Sequence, residues 1–379
     1  MHIVCAASMT SGEAAFRTLG DVSIVPEKEF TADRIRDADA LAIRSKVRVT
    51  KALLDGTRVS FVGTATAGAD HMDLDYLQHR GIAWCASPGC NANSVAEYIV
   101  AALLCLAVRH EFTLQGLRVA IVGVGHVGRQ VREKLSALGM IPLLNDPPLF
   151  DSTGDASYRP LDEILPQADV VTLHVPLVEQ GLHPTRSLAG PDFFRKLKPG
   201  CIFINASRGE VADSAAILEA LDDGRIRHAV LDVFENEPEC LKELLARADI
   251  ITPHIAGHSF EGKLNGTAMV YEQLCNFLEV PPAWTPHIEH PPEALHVDAG
   301  DSEEDILWDV VRRVYDIEAD DAALRQGVAR EAAERGRLFE KLRGNYPIRH
   351  EFKRVPLLIA PAYRRAGARL SALGFKIRG

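Results

Sequence analysis

The chain has no cysteine pair at redox or metal-ligand spacing, no apolar run long enough to cross a bilayer, no excess of basic charge and no internal repeat. Its seven cysteines (Cys5, Cys85, Cys90, Cys105, Cys201, Cys240 and Cys275) stand singly and are odd in number. That pattern fits reduced thiols rather than a disulfide framework, and so a cytoplasmic compartment. The longest apolar stretch, Tyr98 to Val108, falls far short of the roughly 18 residues a membrane span needs; it reads as a buried helix, and no membrane partner is expected. Met1 to Ala7 lacks the basic flank and the length of a signal sequence and reads as a first strand. A formal net charge of −10 argues against a general nucleic-acid binder, which needs a basic surface. Any anion site must therefore be local.

What is present is an ordinary globular composition, 47% apolar and 25% charged over 379 residues, enough for two or three domains. Within it stands Gly123-Val124-Gly125-His126-Val127-Gly128, directly after the apolar run Leu117 to Val122. Beyond it Val127, Val131, Leu135 and Leu138 recur at helical spacing until Gly139. The glycines thus occupy a strand-to-helix turn. There Gly123 permits the tight turn, Gly125 lets backbone approach a pyrophosphate, Gly128 lets helix and strand pack closely, and the helix N-terminus offers N–H groups to phosphate. Asp146 closes the next apolar run, Met140 to Leu144, about 20 residues on, where a carboxylate accepts hydrogen bonds from a ribose diol. A carboxylate repels a 2′-phosphate, so the expected cofactor is NAD rather than NADP. Pro142 is awkward in a central strand, which places it among that strand's first residues.

Before this motif, short apolar runs (His2 to Ala6, Val22 to Val25, Ala40 to Ile43, Val59 to Val62, Ile82 to Cys85) alternate with amphipathic segments, an α/β rhythm. Asn91-Ala92-Asn93-Ser94 caps a helix running through Glu97 to about Arg109, with Glu97 favourably placed in its first turn. From residue 117 the expected strands are Arg118 to Val122, Met140 to Asn145, Val170 to Leu173, Cys201 to Asn205, Ala229 to Val233 and Ile250 to Thr252, a complete dinucleotide-binding sheet. A proline-punctuated linker, Val280 to Pro286, precedes a tail that is acid-rich from Asp298 to Asp321 and arginine-rich from Arg325 to Arg378, a third and smaller domain. His287, His290 and His296 lie in or near this linker without carboxylate or thiolate partners, and no metal is expected there.

Three polar stretches fall at the carboxyl ends of expected strands, where a doubly wound sheet holds its ligands. They are Asn205 to Gly209, Asp232 to Pro238 and Thr252 to Ser259, and they bring an arginine, a carboxylate and a histidine to three consecutive strand ends. On spacing alone Glu235 and Glu237 stand equal. His174, in Leu173 to Leu177, reads as a structural residue beside the cofactor crevice. Earlier in the chain, Thr64 to His71 follows a strand, and its small residues leave N–H groups open to an anion. Arg44-Ser45-Lys46 adds a hydroxyl and two cations after another strand, which reads as solvated surface unless the ligand bears a second anion.

With these motifs in register, residues 1 to about 280 resemble the NAD-dependent D-2-hydroxyacid dehydrogenases. The resemblance implies an α/β chain of two Rossmann-like domains, a substrate-binding lid (1–95 with 257–280) and an NAD-binding domain (96–256), followed by a small α+β dimerisation domain (281–379). It implies Arg208, Glu237 and His254 as the catalytic trio, choosing Glu237 through its Glu-Pro pair. The chemistry needs these types. Oxidising a C2 hydroxyl requires a base for its proton, which histidine supplies near neutral pH; a carboxylate fixes the imidazole's tautomer; and a guanidinium grips the substrate carboxylate and stabilises charge on the reacting oxygen.

By the same resemblance NAD contacts Gly123, Gly125, His126, Val127, Gly128, Asp146, Val175, Ala206, Ser207, Asp232 (at the nicotinamide carboxamide) and Gly257. The substrate contacts Arg44, Ser45, Thr66, Gly68 and His258, the last where many relatives carry tyrosine. The tail, through Leu338 to Arg343 and Tyr346 to Phe352, resembles that of a branch of the family whose substrate bears a C4 phosphate, which suits Arg44 and Lys46; the resemblance does not decide whether Arg343 or Arg349 also reaches that phosphate. A homodimer through the tail is implied, the alternative for its arginine-rich half being a solvated helical surface. The expected function is NAD-dependent oxidation of a phosphorylated 2-hydroxy acid to the 2-oxo acid. The alternatives are a dehydrogenase of the 3-phosphoglycerate or hydroxypyruvate type, and an NAD-sensing interaction protein.

Overall fold

Five short strands, β1 (His2–Ala6), β2 (Asp21–Val25), β3 (Ala40–Ile43), β4 (Phe61–Thr64) and β5 (Ala83–Cys85), form a parallel sheet in the order β2-β1-β3-β4-β5 in the computed structural model, which describes residues 1–288, 292–297 and 300–378. This sheet belongs to a compact unit made of Met1–Asn91 and Ser259–His290. Alternate residues enter two cores: Val4, Leu41, Ile43 and Val62 on one face, Ile3, Cys5, Ala42 and Phe61 on the other. Burial on both faces is why β1, β3 and β4 are almost wholly apolar, while the edge strands β2 and β5 are only partly buried. Helix Phe260–Phe277, capped by Ser259 Oγ accepting the Gly262 N–H at 2.8 Å, adds Val270 and Tyr271 to the second core. The chain leaves β1 for β2 and returns on the other side at β3, so strand order reverses beside β1 and a crevice opens at the carboxyl ends there.

The second unit, Ala92–His258 with Pro291–Gly379, holds β6 (Arg118–Val122), β7 (Ile141–Asn145), β8 (Val170–Leu173), β9 (Cys201–Asn205), β10 (Ile226–Leu231) and β11 (Ile250–Ile251). They form a parallel sheet ordered β11-β10-β9-β8-β6-β7. These are the six runs legible in the sequence, with shifted ends. Outside β7 the strand usual in this fold is reduced to one bridge, Leu144 to Tyr158. Pro142 is accommodated because β7 lies beside that reduced edge. The Ile141 N–H donates to the Leu117 carbonyl at 2.9 Å, so the next nitrogen faces away from β6 and no ladder bond is lost.

β12 (Leu295–Val297), β13 (Pro356–Ile359) and β14 (Lys376–Arg378) make a third parallel sheet in that order. Its helix Glu303–Val314 starts with a capping box between Ser302 and Asp305. Ile306, Leu307, Val311, Leu357 and Leu370 share one core with Val119, Ile121 and the helix Ala92–Arg109. That explains a helix apolar on every side: it is packed on more than one face. Among the described residues it alone has the length and hydropathy of a membrane span, and it is buried in this core.

One expectation and one alternative need correction. The helix starts at Ala92 and its first turn holds no acid, so Glu97 is not in the first turn. It is 2% exposed, accepts the Asn93 Nδ2 at 2.9 Å and the Phe352 N–H at 3.0 Å, and lies 3.9 Å from Lys134 Nζ; burial raises its carboxyl above the usual range. Nor is the arginine-rich tail simply a solvated surface. Arg325 donates to the carbonyls of Leu245, Ala248 and Asp249 at 3.3, 2.6 and 2.9 Å, and Arg369 to that of Leu138 at 3.0 Å. These carbonyls lie at and beyond the ends of helices Lys242–Arg247 and His126–Ala137, where unpaired C=O groups and the helix dipole favour a cation. None of the seven cysteines is in a disulfide, and burial pushes the thiols of Cys5, Cys85, Cys105, Cys201 and Cys240 up to about 12, which leaves them unreactive.

Candidate active site

The glycine turn leaves β6 and enters helix His126–Ala137, with His126 and Val127 as its first two residues. Gly123 has φ +88°, and a Cβ on Gly128 would lie 2.0 Å from the Gly123 carbonyl oxygen, so the turn is closed on itself. A Cβ on Gly125, by contrast, would meet nothing within 4 Å. Gly125 caps the helix without a side chain, which leaves first-turn N–H groups for an anion. Asp146 accepts the Val124 N–H at 2.7 Å through Oδ2 and the Leu149 N–H at 3.0 Å through Oδ1, tying the end of β7 to the glycine turn. An open glycine face, a helix start and this carboxylate fit a dinucleotide. Val175 follows His174, whose Nε2 pairs with Thr172 Oγ1 at 2.9 Å; burial pushes that imidazole down to about 3, so it is neutral.

Arg208, Glu237 and His254 follow β9, β10 and β11, three adjacent strands. Buried Asn205 folds the first loop: its Oδ1 accepts the Ser207 N–H at 3.1 Å and Oγ at 2.8 Å, and its Nδ2 donates to the Arg208 carbonyl at 3.0 Å. That loop touches the second, since a Cβ on Gly209 would lie 1.9 Å from the Phe234 carbonyl oxygen. In the second loop Glu237 Oε1 accepts the Phe234 N–H at 2.9 Å, and Oε2 meets His254 Nδ1 at 2.8 Å. Burial alone would raise the Glu237 carboxyl, but the His254 charge and hydrogen bond, with the Phe234 N–H, hold it below the usual range. An ionised carboxylate only accepts, so Nδ1 carries the proton and Nε2 is the nitrogen left able to accept one.

Glu235 is set apart from Glu237 by its partner: its Oε2 accepts the Ser214 N–H at 2.8 Å, at the start of helix Ser214–Asp222. Glu235→Ala should therefore cost about 1 kcal/mol of stability in denaturant titration and leave turnover at the wild-type value.

Asp232, 1% exposed, clasps the third loop. It accepts Thr252 Oγ1 at 2.6 Å and the Ile255 and Ala256 N–H groups at 2.8 and 2.9 Å, while its own carbonyl accepts the His254 N–H at 2.8 Å. Burial raises the Asp232 carboxyl, which those donors and His254 oppose. Tyr98 OH in turn meets Thr252 Oγ1 at 2.9 Å. Thr252 opened the third polar stretch without a role of its own, and Tyr98 lay outside any motif; the one hint was a tyrosine in an apolar helix, whose hydroxyl needs a partner. Gly257 and His258 close this loop. The His258 N–H donates to the Ile255 carbonyl at 2.7 Å, and its ring stands edge-on to Tyr346 at 5.6 Å. Tyr346 OH donates to Asp320 Oδ2 at 2.7 Å, and burial pushes the Asp320 carboxyl up to about 6.

The remaining expected contacts lie in the first unit. Arg44, Ser45 and Lys46 follow β3, and Thr66 and Gly68 follow its neighbour β4. Arg44 Nη1 donates to the Ser8 carbonyl at 3.5 Å. Thr66 Oγ1 donates to the Gly68 carbonyl at 2.8 Å, and Thr64 Oγ1 meets Thr66 Oγ1 at 2.8 Å and His71 Nε2 at 3.0 Å. Burial pushes His71 down to about 4, so it is neutral. Ser87 Oγ braces the loop from below by donating to the carbonyls of Thr64 and Gly266.

His290 lies outside the described residues. The one cluster of metal-ligating types among the described residues, His110, His228 and Asp249, was not foreseen. Its two imidazoles are stacked at 4.0 Å and 29°, so their in-plane lone pairs run nearly parallel rather than converging on one ion, and His228 Nδ1 is already bonded to Asp249 at 2.8 Å.

Residues 107–256 match the family described as D-isomer specific 2-hydroxyacid dehydrogenase, NAD binding domain, and residues 290–374 match a domain of unknown function (DUF3410). Fold and site together define an NAD-dependent 2-hydroxyacid dehydrogenase. Over 100% of both chains the sequence is 44% identical to an erythronate-4-phosphate dehydrogenase of Edwardsiella ictaluri, and it is 43% identical to that of Klebsiella pneumoniae over 99% of this chain and 98% of the relative. The chain belongs to the erythronate-4-phosphate dehydrogenase family. Among solved structures, an NAD⁺-bound 3-phosphoglycerate dehydrogenase from Entamoeba histolytica matches 74% of this chain and 95% of its own at a TM-score of 0.64 and 23% identity, a likeness of fold.

Proposed function

We propose that the chain oxidises 4-phospho-D-erythronate to 3-hydroxy-2-oxo-4-phosphooxybutanoate with NAD, a step toward pyridoxal 5′-phosphate (vitamin B6), as a cytoplasmic homodimer joined through residues 281–379. The observation that carries the chemistry is the 2.8 Å contact of Glu237 with His254 Nδ1, which leaves Nε2 to take the proton of the C2 hydroxyl. Arg208 grips the substrate carboxylate and stabilises charge on the reacting oxygen. The backbone around Thr66 and Gly68 cradles the same carboxylate, Arg44 and Ser45 take the C4 phosphate, and His258 donates to a substrate hydroxyl. Gly123, Gly125, His126, Val127, Gly128, Asp146, Val175, Ala206, Ser207, Asp232 and Gly257 hold NAD. When bound, NAD supplies the hydride acceptor.

A substrate panel tests this reading. Purified protein with NAD and an acceptor that reoxidises NADH should favour 4-phospho-D-erythronate over 3-phosphoglycerate by roughly 100-fold or more in kcat/KM. Preference for 3-phosphoglycerate or hydroxypyruvate, or no turnover, overturns it. Glu237→Gln tests the base. The amide keeps an acceptor for Nδ1 but removes the anion that favours the imidazolium formed as the proton is taken, so kcat for oxidation should fall by roughly 10-fold or more. Wild-type kcat contradicts the pairing.

A further inference from the structure

His254 sits at φ 56°, a left-handed conformation that non-glycine residues seldom adopt. Such a conformation persists only where the surroundings impose it. Asp232 does so on the N–H groups of Ile255 and Ala256. The carbonyl of the same turn is held by the C-terminal segment: Arg349 Nη2 donates to the Ala256 oxygen at 2.9 Å, with a longer contact to the Ser94 carbonyl at 3.4 Å. The guanidinium lies 4.0 Å over the Tyr315 ring and is 6% exposed, and its Nε and Nη1 have no hydrogen-bond partner among the described residues. A buried cation with two idle donors is costly. The Tyr315 face and the nearby carboxylates of Asp320 and Glu97 offset part of that cost.

The same segment braces the Glu237 loop. Phe339, 1% exposed, packs edge-on against Phe234 at 6.4 Å, and Arg335 Nη2 donates to the Cys240 carbonyl at 3.1 Å. A Cβ on Gly336 would sit 3.4 Å from the Pro238 ring, so the helix Ala332–Gly344 lies close against this loop. A third tie holds the strand before His254, where Asp321 Oδ1 accepts the Ile251 N–H at 2.8 Å.

We infer that the C-terminal segment, chiefly through Arg349, sets the geometry of the Glu237–His254 pair, so that Arg349 is a positioning residue for the reaction. This rests on the acid–base roles proposed above, and it gives the segment a duty inside its own chain, separate from any contact with a second copy. Misplacement of a base by about 1 Å can cost about 100-fold. Arg349→Met should therefore lower kcat by about that factor while the KM values for NAD and substrate stay near wild type. In protein labelled with ¹⁵N-histidine, without substrate, the low-field resonance of the His254 Nδ1 proton should weaken or vanish. Arg349→Lys keeps the charge and one donor but not the planar face on Tyr315, and should lie between the two in both measurements.

A folded Arg349→Met with wild-type kcat and an unmoved resonance overturns the inference, as does a loss confined to KM. If thermal melting shows that Arg349→Met does not fold, Arg349→Lys decides: a lowered kcat with a weakened resonance supports positioning, and wild-type values for both overturn it. Should the wild type fail to oxidise 4-phospho-D-erythronate, the functional reading falls while the resonance still decides the positioning.

Discussion

His254→Asn is expected to lower turnover by roughly 10³-fold while leaving the NAD dissociation constant unchanged. The size follows from general-base catalysis, which contributes roughly 10² to 10⁴ in rate. Asparagine is the apt replacement because residue 254 has φ 56°, and asparagine enters the left-handed region more readily than most residues. Its amide can still donate to Glu237 Oε2, which now accepts from His254 Nδ1 at 2.8 Å, and the Asp232 clasp acts on backbone N–H groups that the substitution leaves in place. The loop is therefore retained and only the titrating nitrogen is lost. The pH–rate profile should lose its rising limb together with the rate. Steady-state kinetics and a fluorescence titration with NADH check both halves. Wild-type turnover would remove His254 from the chemistry, and an equal loss of NAD affinity would recast it as a binding residue.

Much of the site was legible because its signals are local. A strand, a turn that needs glycine for backbone reasons and a helix stand side by side in the sequence, and Arg208, Glu237 and His254 each follow an apolar run. The limits of that reading are also physical. β10 was expected over Ala229 to Val233 but ends at Leu231, because Asp232 leaves the ladder to gather donors from the next loop. β4 was expected from Val59 but runs from Phe61 to Thr64, whose polar end is concealed by its bonds to Thr66 and His71.

What stayed hidden depends on partners far along the chain. Asn93 meets Glu351 across 258 positions and Arg349 reaches Ala256 across 93. No periodicity within helix Ala92–Arg109 reveals that a distant segment covers it, and no spacing marks one buried arginine among the many of the tail. The family resemblance, not spacing, chose Glu237 over Glu235, and the fold shows what holds Glu237 and His254 against each other.

The second large effect is expected from two glycines three positions apart, whose substitution separates packing from binding. In Gly128→Ala the new Cβ would lie 2.0 Å from the Gly123 oxygen, 3.0 Å from its carbonyl carbon and 3.4 Å from Ile121 Cγ2. The first two are backbone atoms of the turn, so the turn has to open. Overpacking of this kind costs about 1 to 3 kcal/mol, and because the opened turn no longer aims its N–H groups, NAD affinity should fall by about 100-fold, equivalent to about 2.7 kcal/mol. In Gly125→Ala the Cβ would enter open space, with no atom within 4 Å, from a residue at φ −71° and ψ −148°. The melting temperature without cofactor should change far less than in Gly128→Ala. NAD affinity should still fall, by at least about 10-fold, or 1.4 kcal/mol, because that space is where the backbone must approach a pyrophosphate. Melting without cofactor and NAD titration on both variants distinguish the effects, and Gly125→Ala binding NAD as tightly as wild type would place the dinucleotide elsewhere.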